Sequence, residues 1–282
     1  MNAQTTSNDL QQKIQGYLEV LALETDLARK SEEMQRYLDF VAKFHQYSSS
    51  NIFLIMLARP DASAVKGYQA WKQVGRYVKK GEKGIPIFAP MIHKEDPDDD
   101  NSLKVLRGFR VVYVFDVSQT DGEPLPPVPD WKSPEKNAEL NEKLILFAES
   151  RGIRVTFKDL PGEIQGVSKG GEIEISPNAG TKTLIHEIAH ELMHRDSIHN
   201  KRKEIVEWEA ESVAYIVAKY FKINLLKSPT YLVLHGFHRE QFLESCAIIS
   251  QTANQIIHQV IADDDLHSID CCVKLPEKIK NI

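Results

Sequence analysis

Residues 181–194 read TKTLIHEIAHELMH, and the reading of this stretch decides what kind of protein the chain is. It holds His186, Glu187 and His190 in the order H-E-x-x-H. A helix turns once in about 3.6 residues, so positions four apart share a face. His186 and His190 therefore offer two imidazoles to one point, and Glu187 stands one residue along. Two neutral nitrogens and one carboxylate leave a divalent metal with net positive charge and an open position. A water held there loses its proton near neutral pH, and a nearby glutamate can take it. The bland alternative is an amphipathic helix that happens to carry two histidines. Against it, Leu184, Ile185, Ile188, Ala189 and Leu192 surround the motif. They predict a buried helix, in which unpartnered histidines and a glutamate would be costly.

A third protein ligand is needed. One common solution is a histidine six residues after the second, reached through a glycine bend; here those positions are Asp196 and Met193, so that solution fails. His194 lies a further turn along the same helix and is expected to be structural or to support a ligand without touching the metal. The next helical stretch, KEIVEWEAESVAYIVAKYF (203–221), supplies Glu207, Glu209 and Glu211. Glu207 and Glu211 share a face. Glu207 is expected as the ligand and Glu211 as the carboxylate that orients a ligand histidine through its second nitrogen. Glu209, on a different face, is the alternative ligand. The E-x-x-x-E spacing resembles the E-x-x-x-D of thermolysin-like, glutamate-type zinc peptidases. Zn²⁺ is the expected cofactor, with Mn²⁺ also compatible with this donor set. Tyr231, His235 and His238 are candidates for stabilising an oxyanion by their chemistry only.

The chain around this motif has 282 residues, 42% hydrophobic and 27% charged, with a net charge of −5. That is an ordinary globular composition with room for two domains. It does not describe a basic nucleic-acid coat, although a local basic groove remains compatible with it. No stretch approaches the length of a membrane span, and the start lacks an apolar secretory core. Three cysteines, Cys246, Cys271 and Cys272, are too few for a disulfide framework, and a cytoplasmic protein with reduced thiols is expected.

The expected fold class is α+β. Leu10, Ile14, Leu18 and Leu21 mark one helix. Met34, Leu38, Val41 and Phe44 mark a second, with Ser31 as its candidate N-cap. NIFLIMLAR (51–59) predicts a third helix and GYQAWKQVG (67–75) a short one ending at Gly75. GIPIFAP (84–90) and FRVVYVFDV (109–117) read as strands, joined by an acidic solvated loop at 93–104. TDGEPLPPVPDW (120–131) carries four prolines and predicts a linker. The pattern then restarts with a helix over 135–152, strands over 153–159 and 171–177, the H-E-x-x-H helix, the glutamate helix, and a final helix over 240–264. The expected division is an N-terminal helix-plus-sheet domain (1–125), a proline-rich linker (126–134) and a mostly helical C-terminal domain with a small sheet (135–282).

The first half carries its own signal. Lys66, Lys72, Arg76, Lys79, Lys80 and Lys83 fall close together against one acid, Glu82, with Tyr68, Trp71 and Tyr77 interleaved. Cations track a phosphate backbone, and aromatic faces accept unstacked bases. Tyr47, Ser48, Ser49, Ser50 and Asn51 lie just upstream and offer polar groups to phosphates. Equally, Tyr68 and Trp71 at helical spacing can be core, and VKKGEKG a solvated turn.

The Y-S-x-x-N segment from Tyr47, G-Y-x-x-W from Gly67, G-R-x-V-K-K-G-E-K-G-I from Gly75 and V-F-D-x-S-Q-T from Val114 together resemble the N-terminal domain of ArdC-like antirestriction proteins, over about residues 35–128. HEIAHELMH, EWEAESVAY and SPTYL resemble ImmA/IrrE-like metallopeptidases and the ArdC C-terminal domain. The resemblance implies an N-terminal domain that binds single-stranded DNA and a C-terminal zincin-like metallopeptidase domain. It also implies a protein of mobile elements that protects incoming DNA from restriction. The family's metal pattern falls on His186, His190 and Glu207 with Glu187 as general base, and its basic motif on Arg76, Lys79, Lys80 and Lys83. The expected function is a single-stranded-DNA-binding, zinc-dependent endopeptidase acting on an unknown protein. The alternatives are a DNA-protecting protein with a structural or vestigial metal site, and a DNA-responsive peptidase that cleaves a repressor.

Overall fold

The computed structural model describes residues 5–23, 27–94, 104–125, 137–195, 201–223 and 239–262. The fold is α+β. Contacts divide the described residues into two compact units: 5–17 with 53–125, and 18–52 with 137–262. The contiguous division at 126–134 is therefore crossed by residues 18–52. The physical reason lies in α2.

Helix α1 (Ser7–Leu23) and helix α2 (Leu27–Phe44) form where the apolar stripes predict them. Leu10, Ile14, Leu18, Leu21, Met34, Leu38, Val41 and Phe44 are all buried. α2 begins at Leu27, ahead of the expected cap at Ser31. It packs against α7 (Lys203–Tyr220) in the second unit. There Tyr215 Oη donates to Asp39 Oδ1 at 2.9 Å, Gln35 Nε2 donates to the same oxygen at 2.9 Å, and Lys219 Nζ closes on it. Tyr37 Oη and Ser250 Oγ, 3.0 Å apart, tie α2 to α8 (Arg239–Ala262). An apolar stripe with a polar clasp on the C-terminal helices makes α2 part of their core.

The first unit is built on two antiparallel sheets. One has the order β1 (Val65–Gly67), β4 (Lys104–Asp116), β3 (Ile85–Lys94); the other pairs β2 (Arg76–Val78) with β5 (Thr120–Gly122). Thr120–Gly122 thus forms a strand at the start of the proline-rich stretch; the expected linker at 126–134 and most of the acidic loop lie outside the described residues. Helix α3 (Ser49–Ala58) ends within this unit, and the short helix α4 (Tyr68–Gln73) joins β1 to β2. Val65, Ile85, Ile87 and Val114 turn one sheet face into the core with Phe53, Ile55 and Trp71.

The motif V-F-D-x-S-Q-T is a knot that locks this unit. Asp116 is 2% exposed, and its carboxylate accepts from Ser63 N (2.9 Å), Ala64 N (3.2 Å), Ser118 N (2.9 Å) and Ser118 Oγ (2.6 Å). Gln119 Oε1 accepts from Asp116 N, and its amide donates to Glu82 Oε2 (2.8 Å) and Lys83 O (2.9 Å). Burial alone would raise the Asp116 carboxyl, but these donors together hold it below its usual value.

In the second unit a small sheet runs β6 (Arg154–Phe157), β8 (Glu172–Ile175), β7 (Gly166–Ser168), with β6 parallel and β7 antiparallel to β8. Helix α5 (Ala138–Ser150) is capped by Asn137, whose Oδ1 accepts from Leu140 N at 3.1 Å. Asn137 N in turn donates to Thr181 Oγ1 at 2.9 Å, joining it to the first residue of α6 (Thr181–His194). Leu184, Ile185, Ile188 and Ala189 are fully or almost fully buried, as the surrounding apolar residues predict. α7 is apolar on most sides and packs against α6, α8 and α2, the mark of a central helix.

Candidate metal centre

The crossing of α6 and α7 brings three donor atoms together. His186 Nε2 and His190 Nε2 are 3.0 Å apart, and Glu207 Oε2 lies 3.6 Å from each. Bonds of about 2.0–2.1 Å in a tetrahedral arrangement place ligand atoms roughly 3.3 Å from one another. The triangle therefore has the size and the donor types that a Zn²⁺-like ion takes. His186, His190 and Glu207 form the one group of three potential ligands found among the described residues.

Glu211 sits one turn beyond Glu207, and its Oε2 is 3.3 Å from His186 Nδ1. Lys182, one turn before His186, holds its other oxygen. Burial alone would lower His186, yet Glu207 and Glu211 outweigh it and raise the imidazole to about 9. The two histidines in turn hold the Glu207 carboxyl far below its ordinary range. The pocket is an anionic cradle that attracts positive charge.

Glu187 is buried, and burial raises its carboxyl above the ordinary value against the opposing pull of His186 and His190. Strand β7 lies directly on it. A Cβ placed on Gly166 would come within 2.7 Å of Glu187 Cγ and 2.8 Å of Oε1. Only a glycine lets the strand approach the carboxylate this closely.

Glu209 faces elsewhere. It is fully buried, and its carboxylate accepts from Lys201 Nζ (3.0 and 3.1 Å) and Ser245 Oγ (2.5 Å). His194, 1% exposed, has Nε2 3.5 Å from Glu209 Oε2. Burial, with the charges of His190 and Lys201, lowers this imidazole to about 4, so it stays neutral. The geometry thus groups Glu207 with the two motif histidines, and Glu209 with His194. Tyr231, His235 and His238 lie outside the described residues.

Sequence reasoning passed over Glu191. Its carboxylate accepts from Ser168 Oγ (2.7 Å) and from the backbone N–H groups of Lys169 (3.1 Å), Gly170 (2.8 Å) and Gly171 (2.6 Å). Gly170 and Gly171 both have positive φ, as a tight hairpin turn requires. Glu191 thereby fastens the β7–β8 hairpin to α6 and sets β7 against Glu187. Its spacing of four from Glu187 was the available signal, since it puts both carboxylates on one helix face.

The sequence candidates for nucleic-acid contact scatter. Tyr47 and Asn51 belong to the second unit, where Asn51 is buried and Tyr47 packs edge-on against Phe44. The remainder belong to the first. Trp71 is fully buried and its indole donates to Phe115 O at 2.9 Å, so it is a core residue and offers no face to a base. Arg76 spends its guanidinium on Thr120 Oγ1 (2.8 Å), Thr120 O (3.0 Å), Gly122 O (3.2 Å) and Glu123 O, where it clamps β2 to β5. Lys79 Nζ donates to Ser118 O at 3.1 Å. Lys66 is half-buried; Tyr68, Lys72, Lys80 and Lys83 are exposed.

The class these features define is a two-unit α+β protein with an H-E-x-x-H helix and a glutamate helix around a candidate metal site. Residues 10–123 match the family model of the N-terminal domain of anti-restriction factor ArdC, which shows the ArdC-like character of that segment. The uncharacterized protein pXO2-81 of Bacillus anthracis is 25% identical over 81% of this chain, which spans about half (48%) of that relative's length. Among solved structures, the metal-free antirestriction protein ArdC from plasmid R388 has a TM-score of 0.47 at 18% identity, covering 77% of this chain and 84% of that one. Its Mn(II)-bound structure has a TM-score of 0.45 at 16% identity, covering 79% and 97%. No described helix is long and apolar enough to cross a membrane.

Proposed function

We propose that the protein is a metal-dependent endopeptidase joined to a single-stranded-DNA-binding unit, and that it serves an antirestriction role on mobile DNA in the cytoplasm. The observation that carries the enzymatic part is the triangle of His186, His190 and Glu207 with Glu187 buried beside it. A structural metal would need the three ligands but not the further carboxylate of Glu187. When bound, Zn²⁺ or a similar ion supplies Lewis acidity and lowers the pKa of a water towards about 7. His186, His190 and Glu207 would hold the ion, and Glu211 would orient His186. Glu187 would take the proton of the attacking water and hand it to the leaving amine. Its raised affinity for protons suits that relay. The DNA-binding part is supported by the ArdC match over residues 10–123 and by exposed Lys72, Lys79, Lys80 and Lys83 in that segment.

Metal content per chain tests the site first, with wild type beside Glu207→Ala and Glu209→Ala. About one zinc per chain, lost in Glu207→Ala and kept in Glu209→Ala, is the expected result. Digestion of unfolded casein, with and without a single-stranded oligonucleotide, then tests the activity. Wild-type protein that takes up no zinc or manganese would end the peptidase reading.

A further inference from the structure

Strand β4 pairs without a break from Phe109 to Phe115, so its side chains go alternately to two faces. Val114 turns inward with Ile85 and Ile87 of β3, all at most 5% exposed. The opposite face carries Phe109, Val111, Tyr113 and Phe115. Its cross-strand partners are Pro90 for Phe109, Phe88 for Val111, Pro86 for Tyr113 and Lys66 for Phe115. This outward face stays open to solvent: Phe109 is 53% exposed, Tyr113 44% and Tyr68 46%. Phe88 and Phe109 meet edge to face at 6.4 Å, and Tyr68 meets Phe115 at 6.5 Å. Gly84 lies beneath the row, where a Cβ would strike Tyr113 Cβ at 2.8 Å. From Phe109 to Phe115 the aromatic row runs about 20 Å along one strand.

Within the described residues of the three strands the charge is one-sided, although the segment 95–100 that joins β3 to β4 carries five acids in sequence. β1, β3 and β4 contain one acid among them, Asp116, and its carboxylate is buried in the turn knot. Lys66 pairs with Phe115 across the strands, and Lys72 Nζ stands 5.0 Å over the Tyr68 ring. Arg107 is the exposed extra residue of a β-bulge opposite Met91 and Ile92, with Gly108 at φ 142°. A row of open rings without acids and fringed by cations repels an acidic partner's opposite, a basic surface. It suits a polyanion with flat, unstacked faces.

We propose that the outward face of the β1–β4–β3 sheet is a stacking platform for single-stranded nucleic acid. Tyr68, Phe88, Phe109, Tyr113 and Phe115 receive the bases, while Lys66, Lys72 and Arg107 hold the phosphates. The proposal rests on the DNA-binding reading above and moves its centre from the basic stretch at 76–83 to an aromatic sheet face. Arg76 of that stretch and Trp71 just before it are committed to the fold.

The test is binding of a short fluorescent oligothymidylate to full-length protein, followed by anisotropy at several salt concentrations. Phe109→Ala and Tyr113→Ala should each weaken binding roughly tenfold with the salt slope unchanged. Arg107→Ala should flatten the slope by about one. Tyr113→Phe keeps the ring face and should bind as wild type. Phe109→Trp should bind, with its emission quenched by the oligonucleotide, a readout that a folding defect would not produce. A duplex of the same length should compete poorly, because its bases are already stacked. Wild-type affinity in both alanine variants, or equal competition by duplex, would overturn the platform while leaving DNA binding itself intact. A wild-type chain that binds no single strand would remove the DNA-binding reading together with the platform.

Discussion

The metal-site pocket and the sheet face use charge in opposite ways. In the second unit, Glu207, Glu211, Glu187 and two histidines are packed into a space a few ångströms across, where the carboxylates raise the His186 imidazole and the histidines hold Glu207 far below its ordinary range. In the first unit the exposed cations Lys72, Lys79, Lys80, Lys83 and Arg107 stand apart along the chain. Each arrangement matches the ligand proposed for it. A compact ion rewards fixed, mutually strained ligands. An extended polyanion rewards many separate solvated charges, each contributing a little.

Variants can break or sharpen that contrast. The largest effect is expected at Glu187. Glu187→Gln should keep one metal per chain and lower peptide hydrolysis about 10²- to 10⁴-fold. Hydrolysis that survives would take Glu187 out of the reaction. Next comes Glu207→Ala, which should weaken zinc affinity by more than the roughly 10- to 100-fold expected for Glu211→Gln. Chelator competition measures both, and a larger loss in Glu209→Ala would reverse the assignment of the ligand.

The turn knot gives the third. Asp116→Ala leaves buried N–H groups unpaired and should cost on the order of 3 kcal/mol, read from urea midpoints. The Asp116 carboxyl is held below its usual value in the folded chain. Its contribution is therefore present above an unfolded value near 4 and is lost as pH falls through the folded one. Wild type should lose stability as pH falls from about 5 through the folded value, and Asp116→Asn should lose less over that window. An identical slope in the two proteins would assign the acid sensitivity elsewhere. The smallest effect is expected for Lys79→Ala with Lys80→Ala. It should weaken oligonucleotide binding only a few-fold and flatten the salt slope by about two. A loss larger than that of Phe109→Ala would return the interface to the basic stretch.

Much of the fold was legible because its elements are long. The stripes in α1 and α2, the H-E-x-x-H helix and the glutamate helix all repeat their apolar residues over several turns. β1, β2, β5 and β7 were not legible, since three residues are too few to display a period of two. β7, which lies on Glu187, was lost for that reason. Trp71 misled because it sits three residues after Tyr68 among lysines, and spacing alone does not say which ring faces the core.

The sequence by itself determined that His186 and His190 share a helix face, because the backbone's own geometry puts residues four apart side by side. It also determined that Glu207, Glu209 and Glu211 follow on another helix. Which glutamate meets the histidines was a matter for tertiary structure. The rotation and height of α7 against α6 turn Glu207 to the histidine pair and Glu209 to His194 and Lys201. The same holds for α2, whose stripe announces a buried face but not the helices that bury it. Side-chain periodicity is written locally along the chain; the choice of partner is made by packing between segments far apart in it.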